Sequence, residues 1–391
     1  MEKYLIDLAN KEITMKTKSF IFLLIISFMY SRIAFAQNNN ESNFKKNPYL
    51  LFNEDNTSMR IIWQLRNSEN AIINLYSKDK TILVSDTIVQ QTKDHLFVYD
   101  FKDLQLSTEY NYEVVSNTEV FKGSFYSRIP ESATNFSFIA YGDTRTNPLH
   151  HDSVCEQMLL QVDKNPQLKT FIVSTGDLIS NGDKEKLWQE QFFDAKYTNI
   201  TKVLASFPYM VSMGNHEGQG KLFAKYFQNQ LYQNNRYYYS FIYGNAHFIA
   251  LDQFTKLKKG SEQYNWLENE LSKSTSEWKI ILLHKPGYTA GGHGDNKTVK
   301  KVLQPLFEKY NVQLVLAGHN HYYARANVND VTHITTGGGG APLYSPKQKD
   351  YIIKIDESNH FLIISILDKK MIIKAIRADG SIIENYTITN N

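Results

Sequence analysis

One cysteine, Cys155, occurs in 391 residues, so no intramolecular disulfide can form and no cluster of thiolates is available to hold a structural zinc. Charge of one sign is also scarce. Lys and Arg number 43 against 40 Asp and Glu. The first 36 residues hold five of the basic and three of the acidic groups, leaving 38 against 37 for the remainder. That balance argues against bulk electrostatic binding of nucleic acid or an anionic membrane, and no nucleic-acid scaffold role is expected. The apolar run from Phe20 to Tyr30 is too short to span a bilayer, so no stable membrane span is expected. No repeat of fixed period is found. What is present is 42% hydrophobic and 13% aromatic residues, enough for a sizeable core, in a chain long enough for two domains or one large domain with an extension.

Residues 16–36, KTKSFIFLLIISFMYSRIAFA, have the parts of a secretory signal peptide: Lys16 and Lys18, the short apolar run, and the small-residue site Ala34-Phe35-Ala36. Residues 1–36 are therefore read as a leader, with Met15 as an alternative start and Gln37 as the mature N-terminus. No cysteine follows to take a lipid anchor. Export with a single cysteine fits a bacterial periplasm or cell exterior.

From about 47 to 130, short alternating runs (SMRIIWQL, NAIINLYS, HLFVYDF, YNYEVVS, FKGSFYS) separated by polar turns indicate an antiparallel β-sandwich. RIPESATN then reads as a linker. From 135 to 391 apolar strands alternate with amphipathic helices, the pattern of an α/β layered domain. The helices include SVCEQMLLQV, EKLWQEQFFDAKY, SEQYNWLENELSK and VKKVLQPLFEKY. Strand-like runs after Tyr351 are expected to complete a sheet of that domain.

Six strands are expected between residues 135 and 320, and five end alike. A residue able to bind metal follows the apolar run: Asp143 in AYGDTR, Asp177 in STGDLI, Asn215 and His216 in SMGNHE, His284 in LLHKP, and His319 and His321 in AGHNH. Each alone has an ordinary explanation as a turn, cap or solvated residue. Together they point to one site, because loops from several strands converge outside the carboxyl ends of an α/β sheet. Carboxylate, amide oxygen and imidazole suit zinc, manganese or iron, and a carboxylate shared between two ions suits hydrolysis of a phosphoester.

The blocks GD, GD, GNHE, H and GHxH, in this order, resemble the signature of the calcineurin-like metallophosphoesterases. The N-terminal sandwich, GNHE and TGGGGAPL (336–343) resemble specifically the purple acid phosphatases and their bacterial relatives. The resemblance covers about Asn47 to the C-terminus. It implies a fibronectin III-like sandwich followed by a four-layer α/β domain with two sheets flanked by helices. It also implies two divalent or trivalent metal ions (Fe, Mn or Zn), a small phosphorylated substrate, and in-line attack on phosphorus by a metal-activated hydroxide. Asp177 would bridge the ions, Asp143 and His321 would lie on the first, and Asn215, His284 and His319 on the second. His216 and His293, in AGGHGDN, match histidines that bind the phosphate or protonate the leaving oxygen, and Asn215 lies beside that substrate position.

Two positions depart from the pattern. Many members carry a histidine two residues after the first aspartate, where this chain has Arg145. The purple enzymes carry a tyrosine three residues after the bridging aspartate, where this chain has Ser180. Arg145 is able either to face the substrate phosphate or to form a salt bridge at the pocket rim. TTGGGGAPLY is expected to bring backbone close to the site; without a lysine or a following helix it is not a nucleotide loop. Tyr288, Tyr322, Tyr323 and Tyr344 either line the pocket or pack in the core. The leading expectation is an exported phosphomonoesterase. A phosphodiesterase acting on nucleotides or lipid head groups, and a non-catalytic phosphate- or glycan-binding protein with a degraded first metal site, are the alternatives.

Overall fold

The computed structural model describes residues 42–89, 93–233 and 236–390; the expected leader and Met15 lie outside the described residues. The N-terminal alternating runs form two antiparallel sheets. β1 (Phe44–Phe52), β2 (Met59–Leu65) and β5 (Leu96–Phe101) pair in the order β1-β2-β5. β3 (Asn70–Tyr76), β4 (Ile82–Val89), β6 (Glu109–Ser116) and β7 (Glu119–Tyr126) pair in the order β4-β3-β6-β7. Because successive side chains point to opposite faces, Ile61, Trp63, Ile73, Leu75, Phe97, Tyr112 and Val114 fill the space between the sheets.

The three-stranded sheet is buried on its other face too. Tyr49, Leu51, Ile62, Leu96 and Val98 pack with Tyr209, Phe193 and Phe227 of the α/β part. Hydrogen bonds fix the contact: Tyr49 Oη donates to Tyr226 O (2.6 Å), Tyr112 Oη to Ala205 O (2.9 Å) and Arg60 Nη1 to Gln228 O (2.5 Å). β1 takes in Lys45 and Lys46, which precede the start at about residue 47 expected for the sandwich. Lys46 is fully buried, donating to Gln64 Oε1 (2.7 Å) and Glu185 Oε1 (2.9 Å), and burial pulls its ammonium down to about 8 against the pull of Glu185. The expected linker is likewise anchored, with Arg128 buried over the Phe52 ring at 4.5 Å and donating to Asn53 O (2.7 Å).

In the α/β part, β8 (Asn135–Tyr141), β9 (Ile172–Ser174) and β10 (Tyr209–Val211) run parallel. β18 (His360–Leu367), β19 (Lys370–Arg377) and β20 (Ile382–Thr389) extend that sheet antiparallel, in the order β10-β9-β8-β18-β19-β20. The second sheet contains β11 (Tyr239–Tyr243), β12 (Ala246–Ala250), β13 (Trp278–Leu282), β14 (Leu314–Ala317), β15 (Tyr323–Val328), β16 (Val331–Thr336) and β17 (Ile352–Asp356). Its order is β11-β12-β13-β14-β16-β15-β17, with β12, β13, β14 and β16 parallel. The sheets face each other through Phe138, Ala140, Phe248, Ile280, Leu282, Leu314, Leu316, Leu362 and Ile364. The alternate residues point outward. Ile139 and Tyr141 meet Val154 and Met158 of the helix Pro148–Lys164, while Ile281, Leu283 and Val315 meet Leu267 and Leu271 of the helix Glu262–Lys273 and Phe307 of the helix Gln304–Lys309. Two sheets lie between helices, so the strands are apolar on both faces.

Some expected elements change. The helix expected over 185–197 stops at Gln191, where Phe192 and Phe193 turn inward beside Trp188. VKKVLQPLFEKY divides into a π-helical turn, Val299–Leu303, and the helix Gln304–Lys309, because Pro305 has no N–H to continue the ladder. The C-terminal strands do not complete one sheet: β17 joins the second, and β18 to β20 extend the first. Among the described residues no helix is long and apolar enough to cross a membrane.

Candidate metal centre at the strand tips

All the residues singled out after the five strands lie at the carboxyl ends of parallel strands: Asp143 after β8, Asp177 after β9, Asn215 and His216 after β10, His284 after β13, His319 and His321 after β14. The sixth strand, β12, ends in Asp252, which instead accepts from Phe254 N (2.9 Å) and caps a turn.

Three of the residues hold left-handed backbone: Asp143 (φ 57°), Asp177 (φ 56°) and His319 (φ 67°). A non-glycine residue held there stores strain that only a surrounding structure can impose, and such positions cluster at working sites. The neighbouring glycines make room. A Cβ on Gly318 would stand 2.3 Å from Asp143 Oδ2, and one on Gly337 would stand 2.9 Å from the same atom. The glycine-rich segment does pass against the site as expected: Gly339 N donates to Gly142 O and Ala341 N to Asp143 O, both at 2.8 Å.

The tautomers decide what the cluster can hold. His284 Nδ1 lies 2.8 Å from Thr175 O, a carbonyl that can only accept, so the ring proton sits on Nδ1 and Nε2 offers a lone pair. That lone pair faces Asn215 Oδ1 at 3.0 Å, His319 Nδ1 at 3.2 Å and Asp177 Oδ1 at 3.4 Å. Four acceptors converge on one point, and ligand atoms of Asp177, His284 and His319 all lie within 4.8 Å of one another. On side chains alone the cluster draws in a proton. Burial opposes charge on His284, but Asp177 and Asp143 outweigh it and hold His284 up at about 9, while burial and the neighbouring His284 and His293 push His319 down to about 2. Asp177 is held below the usual carboxylate range: burial works against this, but His284 and His216 prevail. A single cation between the four donors satisfies them all, and the donor set suits zinc, manganese or iron.

The other half of the site is different. His321 Nδ1 is committed to Pro342 O (2.6 Å), its Nε2 lies 3.5 Å from Asp143 Oδ1, and the Tyr344 ring stacks on it at 4.2 Å. Asp143 accepts His319 N–H on both oxygens, at 3.0 and 2.9 Å, and burial holds its carboxyl well above the usual range. Arg145 reaches in, with Nε 3.6 Å from Asp177 Oδ2 and Nη2 3.4 Å from His321 Nε2. Of the four tyrosines noted near the tips, Tyr322, Tyr323 and Tyr288 are buried and Tyr344 lines the site.

His216 donates its backbone N–H to Asp177 Oδ1 (2.8 Å), and its Nδ1 pairs with Ser180 O (2.7 Å), leaving Nε2 3.8 Å from Asp177 Oδ2. His293 is exposed, stacks on His319 at 4.1 Å, and is held below its ordinary pKa by burial and by Lys285 and His284. Ser180 is engaged by Gln191, which accepts from its N (2.8 Å) and donates to its Oγ (2.9 Å). With serine there, the purified protein is expected to be colourless; a visible tyrosinate-to-iron band in the iron-loaded protein would contradict this.

Two residues that organise the site were not singled out on sequence. Glu217, the last letter of GNHE, is fully buried and accepts Gly214 N (2.6 Å), Leu178 N (2.7 Å) and Asp177 N (3.1 Å). Burial and the Asp177 charge push it up to about 7 against those amides. Asn320, between the two histidines of GHNH, is fully buried; its Oδ1 accepts His293 N (2.7 Å), which ties the His293 loop to the strand tip. Their signal was their place inside the motifs, but an intervening residue reads as spacer until its partners are known. Glu217→Ala leaves three buried N–H groups unpaired and is expected to destabilise the fold by about 3–4 kcal/mol, with Glu217→Gln milder, since an unsatisfied buried group costs roughly 1–3 kcal/mol. Equilibrium denaturation of the two variants checks the order.

Residues 149–323 match the family model described as calcineurin-like phosphoesterase, a match that begins just past Asp143 and Arg145. That segment is thus similar to the calcineurin-like phosphoesterases, and the chain is similar in sequence to purple acid phosphatases and in fold to PhoD. It is 30% identical over 243 residues to probable purple acid phosphatase 20 of Arabidopsis thaliana, covering 57% of this chain and 53% of that protein. It is 26% identical over 273 residues to the purple acid phosphatase of Glycine max, covering 64% and 57%. The chain thus spans about half the length of the curated relatives it matches. In fold it is similar to a purple acid phosphatase from yellow lupin seeds (TM-score 0.72, 19% identity, 88% of this chain and 74% of that one). It is also similar to PhoD (TM-score 0.68, 12% identity, 90% and 94%).

Proposed function

We propose that the protein is an exported, metal-dependent phosphoesterase, a phosphomonoesterase of the purple acid phosphatase-like type. The observation that carries the reading is the convergence of Asp177, Asn215, His284 and His319 on one point, with the His284 proton committed to Thr175 O. A divalent or trivalent ion bound there supplies Lewis acidity and an activated water for attack on phosphorus. The chain's own residues do the rest. Thr175 O fixes the His284 tautomer, and Glu217 fixes the Asp177 and Asn215 turns. Arg145 presents a guanidinium whose planar fork matches two phosphate oxygens. His293, exposed over His319, delivers a proton to the leaving oxygen, and His216 flanks the phosphate on the other side of Asp177. The leader at residues 16–36 supports export.

The test is hydrolysis of a generic phosphomonoester and a generic phosphodiester by the full chain with Mn, Zn or Fe added. Monoester turnover above diester turnover, abolished by chelation, is expected. Diester turnover alone would move the substrate class, and no turnover under any addition would reject the reading.

A further inference from the structure

Beside the four converging donors lies a second position, bounded by Asp143, His321 and the outer oxygen of Asp177. The resemblance in sequence places a first metal ion there. We propose that the Arg145 guanidinium occupies that position, so that the chain holds one metal ion with a fixed organic cation beside it; this rests on the metal-dependent reading above.

The geometry is specific. Arg145 is anchored through its backbone N–H to Asp177 O (3.2 Å), and its side chain, 14% exposed, runs along the Asp177 carboxylate. Nε stands 3.6 Å from Asp177 Oδ2, the oxygen facing away from His284, and Nη2 stands 3.4 Å from His321 Nε2. Nη1 donates to Thr146 Oγ1 at 3.1 Å. The guanidinium therefore spans the two side chains that would have to share an ion. Nε itself is buried with no hydrogen-bond partner among the described residues, a donor aimed into the site and left for an acceptor to fill. His321, its Nδ1 proton given to Pro342 O, offers Nε2 as an acceptor to the arginine. Asp143 is spent on the His319 backbone amide through both oxygens.

A metal here needs ligand atoms within roughly 2.0–2.2 Å. The arginine occupies that volume and adds like charge beside it. The two cations then divide the work. An ion held at His284 would supply Lewis acidity, while Arg145 holds the non-reacting phosphate oxygens through its planar fork.

The experiment counts metal in the full chain dialysed against saturating Mn(II), by elemental analysis and by electron paramagnetic resonance, with turnover measured on the same samples. The expected result is about one ion per chain with the signal of an isolated Mn(II), lost in His284→Ala and retained in Asp143→Asn. Arg145→His, which puts an imidazole where the guanidinium stood, is expected to raise the count to about two and produce a spin-coupled pair. Two ions per wild-type chain with turnover would overturn the proposal and leave the phosphoesterase reading standing. No ion and no turnover would overturn both. An Arg145→His count that stays at one would overturn the claim that Arg145 keeps the second ion out.

Discussion

His284→Ala is expected to lower phosphomonoester turnover by about 10²–10³-fold or more, the scale for losing one preorganised stabiliser of transition-state charge, and to release the metal with it. His284 carries more than one donor atom's worth of the site. Its Nδ1–H on Thr175 O sets the direction of Nε2, and Nε2 is the common neighbour of Asn215, His319 and Asp177. Removing the ring leaves three acceptors facing an empty volume, with Asp177 a buried carboxylate stripped of its main partner. His247→Ala is the control. That histidine, on β12, touches Ser274 and Glu270 away from the site, and its loss should leave turnover unchanged. Steady-state kinetics with metal analysis on the same preparations checks both. Equal effects of the two substitutions would show that His284 acts only through stability.

His293→Ala is expected to lower kcat by about 10²–10⁴-fold on alkyl phosphates, the usual contribution of a general acid, and by far less on nitrophenyl phosphate. An alkoxide is a poor leaving group and needs a proton as the bond breaks; a nitrophenolate does not. The proposed role rests on the stacking of His293 on His319 and on Asn320, which holds its backbone. Asn320→Ala should therefore reproduce part of the leaving-group dependence without touching the ring. The measurement is kcat against leaving-group pKa for the wild type and both variants. A loss equal across all leaving groups would assign His293 to phosphate binding instead.

Much of this site was legible because its chemistry sits at strand ends. Apolar runs mark β8, β9, β10, β13 and β14, and the polar residue after each run is the one the tip presents. What was not legible depends on partners distant in sequence. Glu217 matters through the amides of Asp177 and Leu178, some forty residues earlier, and no local pattern announces that. Arg145 read equally well as a rim salt bridge or a phosphate ligand until its distances to Asp177 and His321 placed it between them. In the fold, β1 was partly hidden because Lys45 and Lys46 look like polar lead-in, whereas Lys46 is buried against Gln64 and Glu185. β4 escaped because it is a largely exposed sheet edge whose residues carry no clear inward stripe.

The strand tips are proposed to form a metal-binding phosphoesterase site around His284. Anomalous diffraction from crystals of the full chain grown with Mn or Zn tests it most directly. The expected peak lies roughly 2.0–2.2 Å from His284 Nε2 and His319 Nδ1, with Asp177 and Asn215 completing the set and the Arg145 guanidinium beside it. A saturated crystal with no peak at these donors, or with its ion bound elsewhere on the chain, would contradict it.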